Sequence, residues 1–121
     1  MFNVNIQKRT PSFIANNWLT NNQAEEIKEF LKRLLFVFLN NNTNDWFTVS
    51  DLVGGYNEDW TGTPLQYIYN AYKVRNPDTA EMRAAIDVGW LFLEILDSDK
   101  QNIFEARHKN REVRVRQYRK I

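Results

Sequence analysis

Apolar side chains recur at three- and four-residue spacings through Ile27, Phe30, Leu31, Leu34, Leu35 and Phe38, the stripe of one helical face. The pattern predicts a helix over about residues 23 to 39. Asn22 stands at its start as a cap, Glu25, Glu26 and Glu29 complement the helix dipole, and the run Asn40-Asn41-Asn42 ends it. Before it, Phe2, Val4 and Ile6 alternate with Asn3, Asn5 and Gln7 as a short strand would, until Lys8-Arg9-Thr10-Pro11 breaks the pattern. Trp46-Phe47 reads as a brief extended entry into Thr48-Val49-Ser50-Asp51-Leu52-Val53. There Thr48 and Asp51 have the spacing of a capping box, and Gly54-Gly55 forms a stop.

Further along, Thr63-Pro64 offers a cap with proline at the first helical position, and Leu65, Ile68 and Tyr72 line a helix ending near Val74. Asn76-Pro77 interrupts the chain. A second long helix then starts at Asp78 or Thr79 with a core face of Met82, Ala85, Ile86, Gly89, Trp90, Leu93 and Leu96, closing at Asp97 to Lys100. The period changes from helical to two beyond Gln101. Ile103 to Arg107 and Arg111 to Tyr118 read as two strands joined at Lys109-Asn110, with Val113 and Val115 on one face and Arg114, Arg116 and Tyr118 on the other. The expected fold is α+β, mainly α. It forms a single domain with an N-terminal arm (1–20), a helical core (21–100) and a C-terminal hairpin (101–121).

Charge changes the picture most at the hairpin. Residues 101 to 121 hold seven Lys/Arg against two Glu, whereas the first hundred hold nine against thirteen acidic residues. The formal net charge of +1 thus conceals a dipolar chain. A compact basic surface attracts polyanions and holds them by releasing their counterions. Seven positive charges exceed what protection of an edge strand requires. The hairpin therefore implies nucleic-acid contact, DNA ahead of RNA, by Arg107, Lys109, Arg111, Arg114, Arg116, Tyr118, Arg119 and Lys120.

Composition removes several alternatives. With no cysteine and one histidine, His108, the chain offers no thiol nucleophile and is poorly equipped for an all-protein zinc site. His108 reads as a solvated turn residue. No Gly-Lys-Ser/Thr follows Gly54-Gly55, so no phosphate-binding loop is formed. Carboxylate pairs such as Glu25/Glu26 and Asp97/Asp99 sit at helix ends, where solvated caps explain them. The expectation is a non-enzyme without catalytic residues, metal or cofactor. The N-terminus lacks a signal-peptide pattern, and the longest apolar stretch, Leu34 to Leu39, is too short to span a bilayer. A cytoplasmic location without membrane contact is expected, and small size suggests a phage or mobile-element origin.

The order of elements resembles the winged helix-turn-helix superfamily over roughly residues 23 to 121. Phe47 to Val53 would be the entry strand and first helix of the motif, Ala84 to Leu93 the long helix before the wing, and Ile103 to Tyr118 the wing. Gly89 would permit close helix packing. The resemblance implies a DNA-binding regulator or accessory factor whose long helix offers Thr79, Glu81, Arg83 and Asp87 near its start, with Arg83 as the contact. The alternative is a protein-interaction module, an adaptor or inhibitor. Its basic hairpin would grip an acidic partner, with Tyr56, Trp60 and Tyr69 as an aromatic docking surface. The apolar arm either folds back beside the hairpin or crosses to a second subunit, and a homodimer through the arm and the first long helix is the expectation.

Overall fold

The computed structural model describes residues 1–41, 45–54, 59–108 and 116–121. Among the described residues, five helices precede an antiparallel hairpin: α1 (Ser12–Ala15), α2 (Asn21–Asn41), α3 (Val49–Val53), α4 (Gln66–Arg75), α5 (Ala80–Ser98), β1 (Phe104–His108) and β2 (Arg116–Lys120). The chain is thus α+β and mainly α, as its periodicity predicts. The turn expected at Lys109-Asn110, the glycine stop at Gly55 and the positions of Tyr56, Lys109, Arg111, Val113, Arg114 and Val115 lie outside the described residues.

α2 starts earlier than expected because Thr20, not Asn22, caps it. The Thr20 hydroxyl accepts from the Gln23 amide at 3.1 Å while Gln23 Oε1 accepts from the Thr20 amide at 3.0 Å, so two free donors are satisfied reciprocally. Its inward stripe is Ile27, Leu31, Leu35 and Leu39. The box predicted for α3 is present, with the Asp51 amide donating to Thr48 Oγ1 at 3.2 Å and the Thr48 amide to Asp51 Oδ2 at 2.8 Å. Gly54 ends α3 at φ +77°, a conformation that favours glycine. Thr63 does not cap α4. Its hydroxyl donates back to the Trp60 carbonyl at 2.8 Å, and a tight turn through Pro64 and Leu65 leads into the helix.

α5 is the central helix, and it is rotated from the expected face. Ala80, Ala84, Asp87, Val88, Leu91, Phe92, Leu93, Ile95 and Leu96 point inward, Leu93 and Leu96 as expected, while Met82 and Ile86 are exposed. A helix apolar on nearly every side carries little phase information, so tertiary partners set its rotation. The buried Asp87 is one of them: its Oδ2 accepts from the Phe13 amide at 3.2 Å and the Tyr72 hydroxyl at 2.8 Å. Gly89 does not mediate close packing, since open space lies where a Cβ would stand.

The arm folds back onto its own chain. Phe2 is buried and bridges Phe104 in parallel, with the Asn3 amide donating to the Phe104 carbonyl at 2.9 Å and the Phe104 amide to the Met1 carbonyl at 2.7 Å. Lys8 Nζ meets Asp97 Oδ2 at 2.7 Å, and Phe13 inserts into the core. On the opposite side of the hairpin, Phe47 exchanges both backbone bonds with Tyr118, at 2.8 and 2.7 Å. Both edges of the two-stranded sheet are therefore partnered at one point each, which limits their availability to foreign strands. Phe2, Phe47, Phe92, Phe104 and Tyr118 join in an aromatic cluster with centroid separations of 5.9 to 6.5 Å.

Candidate nucleic-acid interface

Register decides which hairpin residues reach solvent. Ala106 pairs with Tyr118 and Phe104 with Lys120, while Arg107 pairs with Gln117 and Glu105 with Arg119. Strand residues two apart share a face, so Phe104, Ala106, Arg116, Tyr118 and Lys120 lie on the core side and Glu105, Arg107, Gln117 and Arg119 on the outer side. The face expected to contact nucleic acid, that of Arg116 and Tyr118, is the inner one.

Tyr118 is consequently corrected from a contact residue to a core residue. It is only 4% exposed and packs on Phe2, Phe47 and Phe92. Burial, against the opposing influence of the nearby Arg116 guanidinium, pushes its phenol up to about 12. Arg116 is half-buried, with Nη1 enclosed and lacking a hydrogen-bond partner among the described residues. Lys120 lines a separate cleft with residues of α2 and the turn after α5. Arg83 is exposed in the first turns of α5, where its Nε donates to Thr79 Oγ1 at 2.8 Å. Asp87, expected beside it on the surface, is buried.

The outer face is organised around Trp46, which the sequence pattern marks only as part of an extended entry to α3. Since Phe47 points into the core, Trp46 points to the opposite side and lies over the outer face of β1 and β2. The Arg107 guanidinium stands 3.9 Å from its ring centroid and that of Arg119 4.6 Å. Arg107 Nε donates to Gln117 Oε1 at 3.0 Å across the strands. Arg119 Nε donates to Glu105 Oε1 at 2.6 Å, and its Nη2 meets the same oxygen. The result is a rigid set of planar groups, since a guanidinium held against an indole loses little further freedom when its N–H edge binds an anion. Glu105 offsets part of the charge of Arg119, whereas Arg107 is the more exposed of the two.

The aromatic docking surface is not assembled as expected. Trp60 is buried, its Nε1 donating to the Val53 carbonyl at 3.0 Å, which corrects its assignment to a partner surface. Tyr69 is half-buried with Lys73 Nζ 6.0 Å from its ring centroid. His108 is the exposed last residue of β1, opposite Arg116, rather than a turn residue.

Asp97 lies in the last turn of α5 and Asp99 is its C-cap, as expected of residues at a helix end, but neither is simply solvated. The Lys8 ammonium holds Asp97 below the usual carboxylate range. Burial acts to raise Asp99, but hydrogen bonds from Asn102 and Gln101 outweigh it and leave Asp99 lowered. Among the described residues no group of three or more His, Asp or Glu side chains is placed to hold a metal ion, and no helix is long and apolar enough to cross a membrane.

Comparison of the chain with protein-family models, curated proteins and solved structures returned no match.

Proposed function

We propose that this protein is a non-enzymatic nucleic-acid-binding factor that holds duplex DNA by its phosphates through the outer face of the C-terminal hairpin. The observation that carries the reading is the pair of guanidiniums, Arg107 and Arg119, stacked on Trp46 at the solvent face of the most basic part of the chain. Arginine presents a planar set of donors suited to phosphate oxygens, and prior stacking on an indole reduces the entropy lost on binding. Lys109, Arg111 and Arg114, between the two strands in sequence, add three positive charges to the same segment.

A winged-helix-like role is supported by the order of elements and by the pairing of the entry residue Phe47 with β2. The role of the long helix changes, however. With most of its surface in the core, α5 has little to insert into a groove, so the hairpin carries the contact and binding is largely independent of base sequence. This fits an accessory factor acting in the cytoplasm better than a reader of one operator. The arm's main apolar anchors are used within the chain, so the proposal takes the single chain as the binding unit.

Arg107→Ala and Trp46→Ala tested by mobility shift on a short duplex address the assignment directly. Loss of about fivefold or more in affinity is expected for each. An exposed, uncharged position on α4, Asn70→Ala, serves as the reference. Affinities equal to wild type for both hairpin variants would overturn it.

A further inference from the structure

The two arginines stacked on Trp46 have their Nε–H groups satisfied across the hairpin by different chemistry. Arg107 Nε donates to a neutral amide oxygen, Gln117 Oε1, at 3.0 Å. Arg119 Nε donates to a carboxylate oxygen, Glu105 Oε1, at 2.6 Å, and its Nη2 meets that same oxygen. Both pairs are direct cross-strand neighbours, Arg107 with Gln117 and Glu105 with Arg119. The indole stack and one accepted Nε–H orient each guanidinium, and a glutamine supplies that acceptor as well as a glutamate does. Glu105 therefore adds something besides orientation. It fills the Nε–Nη2 edge of Arg119 with an anion.

An edge held in this way is open only to a partner that outcompetes a carboxylate. The Arg119 and Glu105 side chains are 40% and 28% exposed, and an ion pair so close to water contributes little net free energy, so it can exchange. Exchange for a second carboxylate gains nothing at the guanidinium. The bond formed matches the bond broken, and the released Glu105 then repels the newcomer. A DNA phosphate gains from another source. Duplex DNA carries one charge per roughly 1.7 Å and sheds condensed counterions as its phosphates are contacted. An extended acidic polypeptide carries at most one charge per roughly 3.3 Å, about half that density. Arg107, whose cross-strand partner is neutral, draws no such distinction. The stack on Trp46, with the Arg119 guanidinium 4.6 Å from the ring centroid, keeps that group in place while its partner changes.

We infer that Glu105 is the specificity-determining residue of the hairpin face: it closes Arg119 to acidic proteins and yields it to the phosphates of nucleic acid. The inference rests on the outer face being the nucleic-acid contact proposed above.

Anisotropy of a labelled duplex titrated with the full chain gives the affinity for DNA, and displacement by poly-L-glutamate gives the affinity for carboxylates. Their ratio is the readout. Glu105→Gln, which keeps an oxygen for the Arg119 Nε–H, should lower the preference for DNA by about fivefold. With Arg119→Ala present, the same change should leave the ratio within about twofold, since the guarded edge is gone. Gln117→Glu sets a carboxylate against Arg107 in the same arrangement and should raise the preference by a comparable factor. It carries the test if circular dichroism shows Glu105→Gln to be unfolded. A wild-type chain that fails to bind duplex at low salt would overturn the proposed function, and this inference with it. Duplex binding with a ratio unchanged by Glu105→Gln, or changed equally with Arg119→Ala present, would overturn this inference alone, as would an unchanged ratio for Gln117→Glu.

Discussion

The Tyr72 hydroxyl donates to the Asp87 carboxylate at 2.8 Å, and the same oxygen accepts from the Phe13 amide, so one buried acid joins α4, α5 and the arm. Burial chiefly, with a further contribution from Asp87, holds the Tyr72 phenol above its usual range. Asp87→Ala strands both donors in the interior, at about 1–3 kcal/mol each. A loss of roughly 2–4 kcal/mol in urea unfolding is predicted, against about 1 kcal/mol for Tyr72→Phe, which removes a single bond.

Tyr118 makes stability sensitive to alkali. Its phenol ionises near 10 in the unfolded chain and at about 12 in the fold. Its contribution is therefore complete below pH 10 and is lost as pH rises from 10 through 12. The loss is on the order of 2–3 kcal/mol. Denaturant midpoints measured across that interval should fall more steeply for wild type than for Tyr118→Phe, in which this ionisation is absent.

The capping box of α3 offers a test on local structure. Thr48→Ala removes the acceptor of the Asp51 amide and should cost about 1 kcal/mol. Thr48→Ser should restore most of it, since the hydroxyl is the group that acts.

These sites differ in how readable they are from sequence. The α3 box is local, spanning the four residues from Thr48 to Asp51, and its residue types suffice to place it. The inward face of α2 follows from spacing, because Ile27, Leu31, Leu35 and Leu39 recur every four residues, although Phe36 and Val37 interrupt the polar side. The hairpin's alternation is equally legible, but alternation does not say which face is inner. That is decided by the Phe47–Tyr118 bridge, between residues far apart in the chain, and it turns Arg116 and Tyr118 inward and Arg107 and Arg119 outward. Trp46 escapes notice for the same reason, since it meets the two arginines only once Phe47 has docked on β2. On α5, Asp87 looks like a surface residue until the Phe13 amide and Tyr72 hydroxyl arrive from other elements to satisfy it.

The central claim is that the hairpin holds DNA by its phosphates. Fluorescence anisotropy of a labelled duplex titrated with the full chain at several salt concentrations tests it most directly. With three to four phosphates engaged, the logarithm of the association constant should fall against the logarithm of salt with a slope of about −3 to −4. Arg107→Ala should make that slope shallower by about 1, because one fewer phosphate contact releases counterions. No binding at low salt, or binding with a slope that Arg107→Ala leaves unchanged, would contradict the account.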